Sequence, residues 1–383
     1  MLLRKTTRFA IKIGMIILVS LVCLEILMIV FDPYLFKGTF EYDPDLGFRV
    51  RAHIPGPAGP VTNQFGFCDR DYPLQKTPGV FRILVVGDSF GWAGGLEGNY
   101  SALLETMFER REGAHKIDII NGGYPGTHTG EELAMLKKYG LQYDPDLVVL
   151  GFFVGNDFVD ANPDRKRIVV NGSYVDISKR REHKLLGYPI IAQSRLLLFI
   201  EQKYRVYAES RRAQTEARGQ PAQLGTFSEE TYLGIERARL EFFSSNPASL
   251  KAWQANIDYI FQSISEMDAL LKSRNIKFVV AIYPDEFQVN DAVLKAIFEK
   301  YKLNPADYDL HLAQNLLKSF LQSKGIPFID FLDRFRAEGK EHDLYSLRDT
   351  HWNAAGIQLA ADILFEDLGK RVENIKSPGG DSR

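Results

Sequence analysis

Four short polar stretches in this chain each stand at the end of an apolar run or shortly before the last helix, and together they hold the side chains that acyl transfer needs. Gly87-Asp88-Ser89-Phe90 offers a serine hydroxyl, and Asn121-Gly122-Gly123-Tyr124-Pro125-Gly126 a glycine-rich turn. Gly155-Asn156-Asp157 offers a side-chain amide, and Asp349-Thr350-His351-Trp352-Asn353 an imidazole beside a carboxylate. A serine hydroxyl is a weak nucleophile and needs an adjacent base, which His351 supplies. The imidazolium so formed needs an orienting carboxylate, for which Asp349 is the nearest candidate and Asp343 the alternative. The tetrahedral intermediate bears an oxyanion that must meet fixed donors: the backbone N–H groups of Ser89 and Gly123 and the amide of Asn156, each worth roughly 3 kcal/mol in such a hole. Each stretch alone has a plainer reading. Gly-Asp-Ser is an ordinary helix start, Gly123 serves the turn before Pro125, Asn156 and Asp157 suit a turn, and His351 and Trp352 suit a core. Their joint appearance after successive runs singles them out.

The elements that would carry them alternate. Phe81 to Val86, Asp146 to Val154 and Lys277 to Tyr283 are continuous apolar runs of the kind buried on both faces of a parallel sheet. Lys116 to Ile120 and Ile326 to Asp330 add two shorter strands, with helical periodicity at Tyr100–Arg110, Glu131–Tyr139 and Asp307–Lys324, and a last helix from Asn353 to about Leu368. Such βαβ alternation puts all carboxyl ends on one sheet edge, where residues distant in sequence meet in one crevice. Between strands three and four lies a long insertion with helices expected at Gln193–Arg218, Ser228–Phe243 and Ser249–Arg274, placed to form a lid or wall. Its basic cluster Lys179-Arg180-Arg181-Lys184, followed by apolar Leu185 to Ile191, reads as a solvated helix start or as a membrane contact.

The amino terminus is of another kind. Arg4, Lys5, Arg8 and Lys12 precede an apolar run from Ile13 to Phe31 interrupted only by Ser20 and Glu25. At 1.5 Å per residue this run just crosses a hydrocarbon core of about 30 Å, and the basic flank keeps the preceding residues cytoplasmic. No small-x-small site follows it, which favours an uncleaved anchor over a signal peptide. The expected organisation is a cytoplasmic basic segment (1–12), a transmembrane anchor (13–31), a Pro- and Gly-rich stalk or skirt (32–77) whose Asn63–Phe67 turn packs against the domain, a domain at 78–370 with its insertion at about 160–248, and a disordered tail (371–383). The formal charge of −2 and the absence of a basic motif exclude a nucleic-acid binder. Of the 2 cysteines only Cys68 lies outside the apolar run, so no disulfide or cysteine metal site is expected in the domain. His128, His342 and Asp343 lack a ligand spacing such as His-Glu-x-x-His, and no cofactor or metal is expected.

Gly87-Asp88-Ser89-Phe90, the Gly123 turn, Gly155-Asn156-Asp157 and the late Asp-x-His-Trp-Asn resemble the four blocks of the SGNH (GDSL-type) hydrolases, over about residues 80 to 160 and 276 to 368. The resemblance implies a flavodoxin-like α/β three-layer sandwich with a five-stranded parallel sheet in the order 2-1-3-4-5. It also implies Ser89 as nucleophile, Gly123 and Asn156 as oxyanion donors and His351 as base. The usual family spacing is Asp-x-x-His, whereas here Arg348 stands three before His351 and Asp349 two before it. That shorter spacing resembles membrane-anchored SGNH proteins linked to acetylation of alginate and other exopolysaccharides. It keeps Asp349 as the orienting residue.

The expected function is an extracytoplasmic serine esterase acting on a short O-acyl ester of carbohydrate. An O-acyltransferase would use the same acyl-serine and differ only in whether water or a sugar hydroxyl collects the acyl group. From another class, a catalytically silent carbohydrate-binding scaffold would keep the fold.

Overall fold

The computed structural model describes residues 2–376 apart from 36–37, 58, 113–115, 164, 171, 178–193 and 218–225. In chain order its main elements are helix α1 (Leu2–Leu35), strand β1 (Phe81–Gly87), α2 (Tyr100–Glu112), β2 (Ile117–Gly123), α3 (Thr129–Lys138), β3 (Leu147–Phe153), α4 (Arg195–Ala217), α5 (Glu229–Leu240), α6 (Gln254–Ser273), β4 (Lys277–Tyr283), α7 (Leu312–Lys324), β5 (Phe328–Asp330) and α8 (Ala354–Lys376). They divide between two units, one of residues 1–51 with 164–211, the other of 52–163 with 212–383.

In the second unit the five strands form one parallel sheet in the order β5-β4-β3-β1-β2, which is the 2-1-3-4-5 order expected. Ile83 and Val85 of β1, Leu147 and Val149 of β3 and Val279 and Ala281 of β4 share one apolar cluster with Tyr100, Leu104 and Phe108 of α2 and Leu364 and Leu368 of α8. The alternating residues Leu84, Val86, Val148 and Leu150 turn to the opposite face, where α3 and α6 pack. Burial on both faces is why these strands read as unbroken apolar runs rather than as alternation.

Several boundaries differ from expectation. The helix expected from Ser249 breaks at Trp253, with a short turn at Pro247–Ala252 before α6. The helix expected from Asp307 starts only at Leu312, because Pro305–Asp307 forms a separate 3-10 turn capped by Asn304. Residues 371–376, expected in a disordered tail, continue α8, and Val372 belongs to the core cluster. The stretch 52–77 packs as a skirt on the sheet-bearing unit. Phe67, Cys68 and Tyr72 are buried there, and the Tyr72 hydroxyl donates to the Ile119 carbonyl at 3.0 Å. Burial pushes the Cys68 thiol up to about 12, so it stays protonated and unreactive. The insertion is also not one body. Residues 164–211 group with the amino terminus, whereas α5 and α6 belong to the sheet-bearing unit, α6 supplying the crossover helix into β4. The basic cluster Lys179-Arg180-Arg181-Lys184 and Leu185 to Ile191 lie outside the described residues.

The first unit is built on α1, within which Thr7–Phe31 is an apolar span whose most apolar 18 residues have a mean hydropathy of 2.9. This is longer than the expected 13–31, because helix and apolar side chains extend beyond the strictly uncharged run. A two-stranded ladder at 40–41 and 49–50 and a hairpin at 167–170 and 173–176 follow. They are joined by Phe40, Phe48 and Tyr174, whose rings contact one another. Leu198 of α4 packs on Val170 and Val175 of that hairpin.

Candidate active site

Ser89 stands directly past β1, at the first position of a 3-10 turn, Ser89–Trp92. Asp88 caps that turn, its Oδ1 accepting the Phe90 N–H at 3.0 Å. The turn lies against the end of β2 because neither Gly91 nor Gly123 carries a Cβ. A Cβ on Gly91 would sit 2.9 Å from Gly123 Cα. At the far end of the chain Trp352 is buried against Phe90, ring centroids 4.5 Å apart, and pairs back on Tyr345. Asn353 caps α8 as expected, accepting from the N–H groups of Ala355 and Gly356 at 2.9 and 3.1 Å.

Between these two anchors His351 meets Ser89. The distance from His351 Nε2 to Ser89 Oγ is 2.7 Å, and from His351 Nδ1 to Asp349 Oδ1 2.6 Å. With the proton on Nδ1, the imidazole donates to Asp349 and its Nε2 is free to accept from the serine hydroxyl. The short Asp-x-His spacing is accommodated by the backbone: Thr350 has φ +70° and Arg348 φ +51°. A left-handed, β-branched Thr350 is strained, and that reversal lets a carboxylate only two residues away reach its own imidazole. The hydrogen bond from His351 holds the Asp349 carboxyl below its ordinary range, against a smaller opposing effect of partial burial and with help from Thr226. Asp349 is therefore an anion at neutral pH.

The donors are arranged differently from the expectation. The Gly123 N–H is turned onto Asn121 Oδ1 at 3.1 Å. Asn121 is a buried hub, its amide donating to the carbonyls of Cys68 at 3.0 Å and Gly91 at 2.7 Å. Gly123 is thus beside Ser89's turn but its N–H is engaged. The Ser89 N–H, by contrast, begins a helical turn and donates to no backbone carbonyl among the described residues. Asn156 follows β3 on the same sheet edge, and its Nδ2 donates to Asp88 Oδ2 at 3.4 Å, which leaves its second amide hydrogen uncommitted. Asp157 is buried and accepts the Phe153 N–H at 3.0 Å, a structural role. Gly126, in the turn after β2, is half-buried at φ +75°, and its N–H has no partner among the described residues.

Sequence reasoning passed over two residues. Asp88 is buried, and desolvation raises its carboxyl above the usual range against the opposing pull of the Phe90 N–H and His351. Thr226 donates its hydroxyl to Asp349 Oδ2, and the adjacent backbone pairs with the same loop, Thr226 N–H to Leu347 O at 3.3 Å and Phe227 N–H to Arg348 O at 3.0 Å. Nothing in the local sequence around Thr226 signals this.

Residues 242–380 match the family model described as SGNH hydrolase-like domain, acetyltransferase AlgX. The matched segment includes Asp349 and His351, while Ser89 lies outside it. Among solved structures the chain is similar to an acetyl xylan esterase, AlAXEase, at 14% identity over 75% of this chain and 100% of that one, TM-score 0.41. It is similar to a mutant of an acetyl-xylooligosaccharide esterase from Geobacillus Stearmophilus at 13% identity over 77% and 97%, TM-score 0.42. A lipase/acylhydrolase from Enterococcus faecalis aligns at 13% identity over 76% and 97%, TM-score 0.36. No curated protein matches the chain.

Proposed function

We propose that this SGNH-type enzyme acts on a short O-acyl ester of carbohydrate through an acyl-Ser89 intermediate, with α1 as a membrane anchor and the catalytic unit outside the cytoplasm. The observation that carries the reading is the continuous chain Ser89 Oγ, His351, Asp349, with contacts of 2.7 and 2.6 Å. Ser89 Oγ attacks the acyl carbonyl carbon while His351 Nε2 takes its proton. Asp349, held ionised, stabilises the imidazolium. Charge on the former carbonyl oxygen meets the Ser89 N–H and the Asn156 amide, and Gly123, beside the Ser89 turn, adds its N–H when that group is released from Asn121. Collapse expels the sugar hydroxyl, which leaves with the proton from His351. An incoming hydroxyl then loses its proton to His351 and attacks the acyl carbon, and Ser89 Oγ leaves with that proton.

If the incoming hydroxyl is water the enzyme is an esterase; if it belongs to a sugar it is an O-acyltransferase. The second reading is supported by the acetyltransferase in the description of the matched family model. The test has two stages. Full-length protein in detergent is treated with a fluorophosphonate probe, and labelling should vanish in Ser89→Ala and in His351→Ala. A folded wild type that does not label would favour the silent scaffold. Protein that labels is then given an activated acetyl ester with and without an unacetylated oligosaccharide. Free acetate in both cases identifies the esterase, and acetylated oligosaccharide by mass spectrometry identifies the transferase.

A further inference from the structure

Glu25, the one acidic residue in the apolar span, is fully engaged. Its two carboxylate oxygens accept the hydroxyl of Ser194 at 2.7 Å and the N–H groups of Arg195 and Leu196 at 2.6 and 3.0 Å, so the first turn of α4 closes directly on α1. Ser194 completes the cap by accepting the Leu197 N–H at 3.2 Å. An ionisable side chain in a span is expensive unless partnered, and here the partner is the uncompensated amide end of α4.

This contact fixes the height of α4 relative to the span. Glu25 lies six residues before Phe31, about 9 Å inward at 1.5 Å per residue. Tyr204 is nine residues past Arg195, so even an α4 running straight outward raises it only about 14 Å from Glu25. That leaves it about 5 Å beyond the end of the span, inside a headgroup layer about 5–7 Å deep on each side. Leu197 and Ile200 lie lower still. Leu197, Ile200, Tyr204 and Tyr207 recur at helical spacing on one face and are 42%, 53%, 70% and 61% exposed. They are not the face that packs on the rest of the unit, which is Leu198, together with buried Gln202. Exposed Lys203 excludes descent of the helix into the hydrocarbon.

We infer that α4 rises through the outer interface of the membrane, clamped at its first turn by Glu25, with Leu197, Ile200, Tyr204 and Tyr207 facing lipid. The inference is independent of the chemistry at Ser89 and rests on the reading of α1 as a membrane span. Aliphatic residues at the deeper positions and tyrosines at the shallower ones match the polarity gradient of that zone.

The test uses the full chain carrying Cys23→Ser and Cys68→Ser, reconstituted in vesicles of phosphatidylethanolamine and phosphatidylglycerol. A single nitroxide is placed in turn by Ile17→Cys, Ile200→Cys, Tyr204→Cys or Val206→Cys. Val206 is exposed on the far side of α4 from the stripe. Collision with oxygen, which concentrates in lipid, is compared with collision with a water-soluble nickel chelate. The oxygen-to-nickel ratio at Ile200 and Tyr204 should be several-fold that at Val206, with Ile17 higher than all three. Ile17 in lipid but Ile200 and Tyr204 as accessible to nickel as Val206 would overturn the placement of α4 and leave the anchor standing. Ile17 accessible to nickel would overturn both. Shielding of Ile200 and Tyr204 from both reagents, with dipolar broadening between chains, would assign the face to a second copy and also overturn the proposal. In Glu25→Ala the ratio at Ile200 should fall to that of Val206, and an unchanged ratio would overturn the clamp.

Discussion

The hydroxyl of Thr226 donates to one oxygen of Asp349 while the other oxygen faces His351 Nδ1 at 2.6 Å. A residue of the insertion thereby shares the carboxylate that pairs with His351, and its backbone braces the strained loop from Leu347 to Thr350. The carboxylate has two partners in directions that oppose rotation about its Cβ–Cγ bond, so Thr226 acts as a positioning residue.

Replacing Thr226 by Val removes the donor and keeps the shape. The expected result is about a tenfold fall in kcat/KM, the loss of roughly one charge-assisted hydrogen bond. The acid limb of the pH profile should move upward, because the Asp349 carboxylate with one donor fewer is protonated more readily. Thr226→Ser should restore both. A tenfold loss with an unmoved profile would reduce Thr226 to a packing role.

Thr350 makes the second prediction. Its φ of +70° is open to Gly and closed to Pro, whose ring holds φ near −65°. Thr350→Gly should therefore retain probe labelling at Ser89, and Thr350→Pro should lose it as Asp349 swings away from His351. Equal labelling of the two variants would show that the reversal at Thr350 does not set the Asp349 to His351 contact.

Asn156→Ala should lower kcat by about a hundredfold or more with little change in KM, since an oxyanion donor acts on the transition state. Steady-state kinetics on the activated acetyl ester measure this. A loss confined to KM would place Asn156 in ground-state binding instead.

Glu286 supplies a pH test away from the site. Burial pushes its carboxyl up to about 7, with the hydrogen bond from the Tyr232 hydroxyl at 2.5 Å opposing and Asp285 adding to the rise. The folded state holds this proton at a pH where the unfolded chain has released it. The stabilisation is thus complete below the ordinary glutamate range and lost as pH rises through about 7. Its full loss is on the order of 3 kcal/mol. Thermal unfolding at pH 5 and pH 8 should give a lower Tm at pH 8, and Glu286→Gln should narrow that difference. An unchanged difference would mean that Glu286 is not the group that titrates.

The strands and their order were legible because a parallel sheet covered on both faces leaves unbroken apolar runs in the sequence, as in Ile83 to Val86 and Leu147 to Val154. The meeting of Ser89, Asn156, Asp349 and His351 on one sheet edge was legible for a related reason. All four are polar residues placed at the ends of such runs or just before a capped helix, where such residue types are scarce enough to stand out. The region from 160 to 248 was legible only as helices, since periodicity reports that a helix has an apolar face and not which unit it covers.

By itself, then, the sequence determined the sheet, the sheet edge on which the polar residues gather, and the apolar first helix, because each rests on local periodicity and on residues at element ends. Only the tertiary structure decided that the Gly123 N–H belongs to Asn121, that Thr350 reverses the chain so Asp349 can reach His351, that Thr226 shares that carboxylate, and that Glu25 receives α4. These depend on backbone dihedrals and on contacts across more than a hundred residues, such as the separations of 123 between Thr226 and Asp349 and 169 between Glu25 and Ser194. Hydrogen-bond direction and long-range pairing leave no period in the chain, and so they appear only when the fold brings the partners together.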